Sequence, residues 1–289
     1  MTASSVTLSP FLRRWLGRVA VVAAIVGLAL GVQALILHLT TDPLADTRLY
    51  YDAATRLNTG QPLYGAPPQA NVGPYAGPPL LAVLFRPLAL LPFPAAAVIW
   101  QAVLMLSFLG ILVRAGLRRP VLLAVGCLAL PIFWAISIGQ AEIIVTFLLA
   151  IATPASVALA GHLKLLPWLA AIYWLGRGDR RALGRFVAWA LGLGVLQLVL
   201  EPAGTLAYIR LEWLKTAFAY RNVSLFAVHP VLWAVAAAVA VVVAYRLAPT
   251  RYGWAAAVCL VVVASPRLLV YQAMTLLAAF SRPADEPRT

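Results

Sequence analysis

Long apolar runs account for most of this chain, separated by short basic clusters and by stretches rich in turn-forming residues. The first, residues 17–38, follows Arg13 and Arg14 and is long enough to cross about 30 Å of hydrocarbon at ~1.5 Å per residue. No small-x-small cleavage site precedes Asp42, so an uncleaved anchor with a cytoplasmic N-terminus is expected. Further spans are expected at 94–113, 120–138, 183–200, 230–246 and 252–265, with a short final run at 268–280. Residues 40–78 are polar and turn-rich and belong outside the bilayer core, where backbone groups can find partners. The run 79–91 is too short to span comfortably and is interrupted by Arg86-Pro87, which suits an interfacial or re-entrant segment. Residues 40–93 thus form one extracytoplasmic element. Between 143 and 176 the apolar pattern is broken by Pro154, Gly161 and Pro167, predicting broken helices whose crossings the pattern does not count. The reading is an all-α polytopic membrane protein, one domain over residues 1–289, with about eight membrane segments.

Composition agrees with this pattern. Hydrophobic residues make up 63% of the 289 and charged residues 11%, at a mean hydropathy of +0.91. That is more apolar surface than a compact particle in water buries. The net charge of +13 would suggest nucleic acid in a soluble chain. Here the basic residues cluster between apolar runs: twelve arginines fall in the expected inner loops and six basic residues in the outer ones. This is the positive-inside bias of a multi-pass protein of the cell membrane, and nucleic-acid binding is not expected. Of the 22 basic residues only Lys164 and Lys215 are lysine, a usage typical of a high-GC bacterium.

The acidic residues follow the opposite bias: Asp42, Asp46, Asp52, Glu142, Glu201 and Glu212 are all expected on the outer side, which makes it the candidate active face. Cys127 and Cys259 sit in apolar stretches and read as buried thiols, and the widely separated His38, His162 and His229 show no metal-ligand spacing. No glycine-rich phosphate loop and no Ser-His-Asp arrangement is present. The richest constellation is Asp42-x3-Asp46-x3-Tyr50-Tyr51. A carboxylate just outside the membrane can take a proton from a hydroxyl held within about 3 Å. The same aspartates could equally cap a helix starting near Arg48.

The segment ADTRLYYDAATRLNTGQPLY, followed by PYAGPPLLAVLFRPLALLP, resembles the start of glycosyltransferase family 87. Further resemblance comes in order: Gly139-Gln140, Lys164-x2-Pro167, the basic turn at 177–185, Asn222-x-Ser224-Leu225, and Ser265-Pro266-Arg267 with Tyr271. Glu142 stands where the family usually has Asn, and the stretch 139–164 is compressed. The resemblance implies a GT-C-like bundle. It also implies transfer of a sugar, mannose by the family's habit, from a polyprenyl-phosphate donor to a glycolipid or envelope-glycan acceptor at the extracytoplasmic face. The lipid-linked sugar phosphate is then a co-substrate, and no nucleotide, metal or other cofactor is expected; membrane lipids, donor and acceptor are the partners. Asp46 is the implied base, with Asp42 second. Arg267, His229 and Lys164 are the candidate phosphate ligands, with Arg221 or Lys215 in reserve, and Tyr50, Tyr51 and Asn222 the candidate sugar or acceptor contacts. Lys164 could instead snorkel to an interface, and His229 could begin a helix. Trp100, Trp168, Trp174 and Trp213 suit a membrane-interface belt. A transporter or scramblase, and a non-catalytic partner in an envelope complex, stand as alternatives.

Overall fold

The computed structural model describes residues 9–64, 75–210, 223–281 and 283, and is helical throughout, with no strand among the described residues. In chain order the helices are α1 (Pro10–Thr41), α2 (Ala45–Asn58), α3 (Pro79–Phe85), α4 (Phe93–Ala115), α5 (Arg119–Cys127), α6 (Ala129–Ile138), α7 (Glu142–Ile151) and α8 (Pro154–Leu163). After them come α9 (Ile172–Gly176), α10 (Arg180–Leu200), α11 (Pro202–Ile209), α12 (Leu225–Val228), α13 (Pro230–Leu247) and α14 (Gly253–Val263). Two longer 3-10 runs, Leu166–Ala171 and Val270–Phe280, complete the bundle.

Four helices, α1, α4, α10 and α13, are long and apolar enough to cross a membrane. A fifth span results if α5 and α6, bent by 63°, are taken together. The chain is an all-α polytopic membrane protein. Its long helices turn bare apolar faces outward: Val187, Leu191, Val195 and Val199 on α10, and Val231, Val235, Val239 and Val242 on α13, are all exposed. Spaced three or four apart, they form the stripe that acyl chains cover. Lipid tails are as apolar as leucine, so helices in a bilayer are joined by close packing rather than by escape from water. Such packing is visible where a Cβ added to Gly27 of α1 would lie 2.4 Å from the Gly126 carbonyl of α5.

The interior is built from the short pieces. On α7 and α8, Ile143, Val145, Leu149 and Val157 are fully buried, as are Val258 of α14 and Met274 and Leu277 of the last 3-10 run. The expected break after 143 lies at Ala152, left-handed at φ 57°, which ends α7. Thr153 and Ser156 then form a reciprocal capping box that starts α8. Arg114 of α4 donates to the carbonyls of Ala150 (3.2 Å) and Ile151 (3.3 Å), satisfying the exposed end of α7.

Three expectations are corrected. The span at 252–265 is an 11-residue helix whose Trp254, Ala257, Val258 and Leu260 are buried. At ~1.5 Å per residue it covers roughly half the bilayer, and its apolar composition reflects contact with protein instead of lipid. The span at 120–138 is bent near Leu128, because Pro131 has no N–H to offer the carbonyl one turn earlier. Cys127 and Cys259 are free but exposed, so apolarity of the stretch did not mean burial of the thiol.

Candidate active site

The segment that follows α1 owes its geometry to an unusual turn. Leu44, between α1 and α2, adopts a left-handed conformation at φ 58°, a costly one for a branched side chain, and its N–H donates to the Ser137 carbonyl at 3.0 Å. The turn sets the start of α2 against the end of α6. The capping expectation fails here: Leu44 occupies the cap position and no side chain caps the helix. Asp46, in the first turn of α2, instead accepts a hydrogen bond from Gln140 Nε2. One turn later Tyr50 donates its hydroxyl to Gln140 Oε1 at 2.5 Å and accepts from the Ala141 N–H at 3.3 Å. The Gln140 amide is therefore oriented, with its N–H side toward the carboxylate.

Gly139 makes this approach possible. It ends α6 with φ 72°, and a Cβ there would stand 1.8 Å from Thr47 Oγ1 of α2. Its carbonyl accepts from Trp100 Nε1 at 2.9 Å. Trp100 is buried, as is Trp174, so neither belongs to an interface belt; a buried indole keeps its N–H where a partner exists. Tyr50 is boxed by the rings of Trp100 (5.9 Å), Phe85 (6.0 Å) and Tyr75 (6.5 Å).

A second polar wall faces the first. Lys164, extended after the end of α8, places Nζ 2.6 Å from Glu142 Oε2 and 5.0 Å from the Tyr271 ring centroid. The other oxygen of Glu142 accepts from Thr275 Oγ1 at 2.5 Å. Arg267 lies in a segment tied down by backbone acceptors: Ser265 Oγ donates to the Arg267 carbonyl (2.7 Å) and Ser224 Oγ to that of Pro266 (2.7 Å), while the Val223 N–H donates to the Leu268 carbonyl (2.9 Å).

Between the walls is a cavity of about 610 Å³. Asp46, Gln140, Glu142, Lys164 and Arg267 line it, and the rest is largely apolar, with Leu81, Ile138, Leu166, Val261 and Leu269. Burial pushes the Asp46 carboxyl up from 3.8 to about 6, against the opposing pull of the Lys164 and then the Arg267 charge. Burial, and next the Asp46 charge, hold the Tyr50 phenol well above its ordinary value, so it remains a donor to Gln140. The arrangement offers a desolvated carboxylate near a proton-accepting range, two cations, and an apolar chamber of ligand size.

The structure thus brings Asp46, Tyr50, Lys164 and Arg267 to one cavity, and leaves other candidates outside it. Asp42 ends α1, where its Oδ1 sits 2.7 Å from His38 Nδ1 with a half-exposed side chain. It does not line the cavity. Tyr51 points the other way, donating to the Leu91 carbonyl at 2.8 Å and packing edge-on against Phe93. His229 caps α13, its Nδ1 accepting from the Val231 N–H at 3.2 Å, and is exposed. Asn222, with Arg221, Lys215 and Trp213, lies outside the described residues. Sequence reasoning missed the roles of Gln140 as orienting amide, of Glu142 as partner of Lys164, and of Thr275. The one signal for Gln140 and Glu142 was the polar island Gly139-Gln140-Ala141-Glu142 between apolar runs, and Thr275 had none. Among the described residues no three His, Cys, Asp or Glu side chains group as metal ligands.

The family model of glycosyltransferase family 87 matches residues 75–281, well over half of the chain. The matched stretch carries Gln140, Glu142, Lys164 and Arg267, whereas α2 with Asp46 precedes it. No curated protein and no solved structure matches.

Proposed function

The chain belongs to glycosyltransferase family 87, and we propose that this membrane glycosyltransferase moves a sugar, mannose by preference, from a polyprenyl phosphate to a glycolipid or envelope-glycan acceptor. In this reading the fold is GT-C-like, the cavity opens on the extracytoplasmic face of the cell membrane, and the N-terminus is cytoplasmic. The acceptor O–H loses its proton to Asp46 as its oxygen attacks the anomeric carbon; the bond from that carbon to the phosphate oxygen breaks, and its electron pair leaves with the phosphate. One in-line displacement inverts the anomeric centre. Lys164 and Arg267 meet the charge that develops on the leaving phosphate, which is the group most in need of stabilisation. The phosphate is its own leaving group, so the scheme calls for no nucleotide and no further cofactor.

The observation that carries this reading is the partly buried Asp46 carboxylate facing Lys164 and Arg267 across one largely apolar cavity. The test supplies membranes containing the protein with labelled polyprenyl-phosphate mannose or nucleotide-linked mannose, together with envelope lipid extract. Label should reach an acceptor from the polyprenyl donor alone, with the anomeric configuration opposite to the donor's. Transfer from the nucleotide sugar only, or retained configuration, would contradict it.

A further inference from the structure

Among the described residues the charged groups lining the cavity are Asp46, Glu142, Lys164 and Arg267, and these four charges cancel. Asp46 receives a neutral amide, while Glu142 holds Lys164 directly at 2.6 Å. Glu142 is well fixed for this: it is 4% exposed and its second oxygen takes the Thr275 hydroxyl. The Lys164 side chain, at 23% exposure, is the freer partner. The ammonium is thus already bound before any phosphate arrives.

Resting on the reading above, charge moves during transfer. The donor is a phosphodiester with one negative charge. When Asp46 takes the acceptor's proton and the sugar departs, that carboxylate loses a charge and the phosphate, now a monoester, approaches a dianion. Negative charge therefore shifts across the cavity, toward the wall where Glu142 already claims Lys164. We propose that Glu142 is a positioning residue that holds Lys164 in reserve, its carboxylate competing with the lipid phosphate for the ammonium. The weakly charged donor competes poorly and leaves Lys164 on Glu142. The developing monoester competes well and draws Lys164 over, so the interaction is strongest where it accelerates the reaction. When the product leaves, Glu142 recaptures the ammonium, which favours release of a lipid phosphate that an unpaired Lys164 would help to retain.

The experiment measures binding of polyprenyl monophosphate, with polyprenyl alcohol as control, to the full chain in nanodiscs of neutral lipid. Wild type should bind the monophosphate better than the alcohol. Glu142→Gln should bind it about fivefold tighter, since a charge-assisted competitor has gone, and Lys164→Met weaker by a similar factor. Thr275→Val, which keeps every charge but loosens Glu142, should shift affinity in the same direction as Glu142→Gln by about twofold, and serves if that variant does not fold. In transfer assays Glu142→Gln should lower KM for the donor and lower kcat together, through slow product release. Unchanged or weaker monophosphate binding in both Glu142→Gln and Thr275→Val would overturn the inference alone. Equal binding of monophosphate and alcohol by wild type would overturn the functional reading beneath it.

Discussion

Two carboxylates face the same cavity and are treated in opposite ways. Asp46 is desolvated, which raises its proton affinity, and its partner is the neutral amide of Gln140; Glu142 is met by an ammonium and a hydroxyl. The chemical difference between them lies less in the carboxyl groups than in their partners. A base must be free to accept a proton, and a buried carboxylate is kept free by withholding a cation from it. The partners come from one four-residue stretch, since Gln140 serves one wall and Glu142 begins the other.

Several substitutions would break or sharpen that contrast. The largest effect is expected for Asp46→Asn, which keeps shape and removes the base: transfer should fall on the order of 10³-fold. Stability should move the other way. A carboxyl raised from 3.8 to about 6 binds its proton more readily folded than unfolded, so its contribution to stability falls as pH rises across that window. At pH 7.5 the Asn variant should gain as much as about 3 kcal/mol, seen as a higher Tm in detergent. A lower Tm would remove the desolvation argument.

Gly139→Ala comes next. It needs φ 72° and a Cβ 1.8 Å from Thr47 Oγ1, so α2 must retreat from α6. A loss on the order of 2–3 kcal/mol is expected from denaturation curves, partly recovered by adding Thr47→Gly. Gln140→Leu should be milder: without the amide donor the charged form of Asp46 is less favoured, its pKa rises further, and transfer at pH 6 drops about tenfold while recovering at higher pH. Tyr51→Phe, on the far side of α2, should leave transfer unchanged and cost under about 1 kcal/mol. A large loss of activity there would redraw the cavity's boundary.

The legible parts of the molecule are those governed by the solvent. Acyl chains demand long apolar runs, so α4, α10 and α13 can be read from hydropathy to within a few residues, and α1 all but its first two turns. Asp46, Lys164 and Arg267 also stand out, since ionisable residues beside membrane segments are expensive without a purpose. What could not be read is pairing across the chain. Gln140 meets Asp46, 94 residues away, because Leu44 and Gly139 adopt left-handed turns; a glycine hints at such a turn and a leucine does not. A short buried helix such as α14 reads like a span because contact with protein and contact with lipid select the same side chains. Tyr50 and Tyr51, adjacent in sequence, differ only in which face of α2 carries them.

The most direct measurement is the pH dependence of kcat/KM for wild type beside Gln140→Leu. A desolvated Asp46 acting as base predicts a rate that rises with unit slope and levels off near pH 6, with that limb displaced upward in the variant. A flat profile between pH 4.5 and 7.5, or a limb that Gln140→Leu leaves in place, would contradict Asp46 as the proton acceptor.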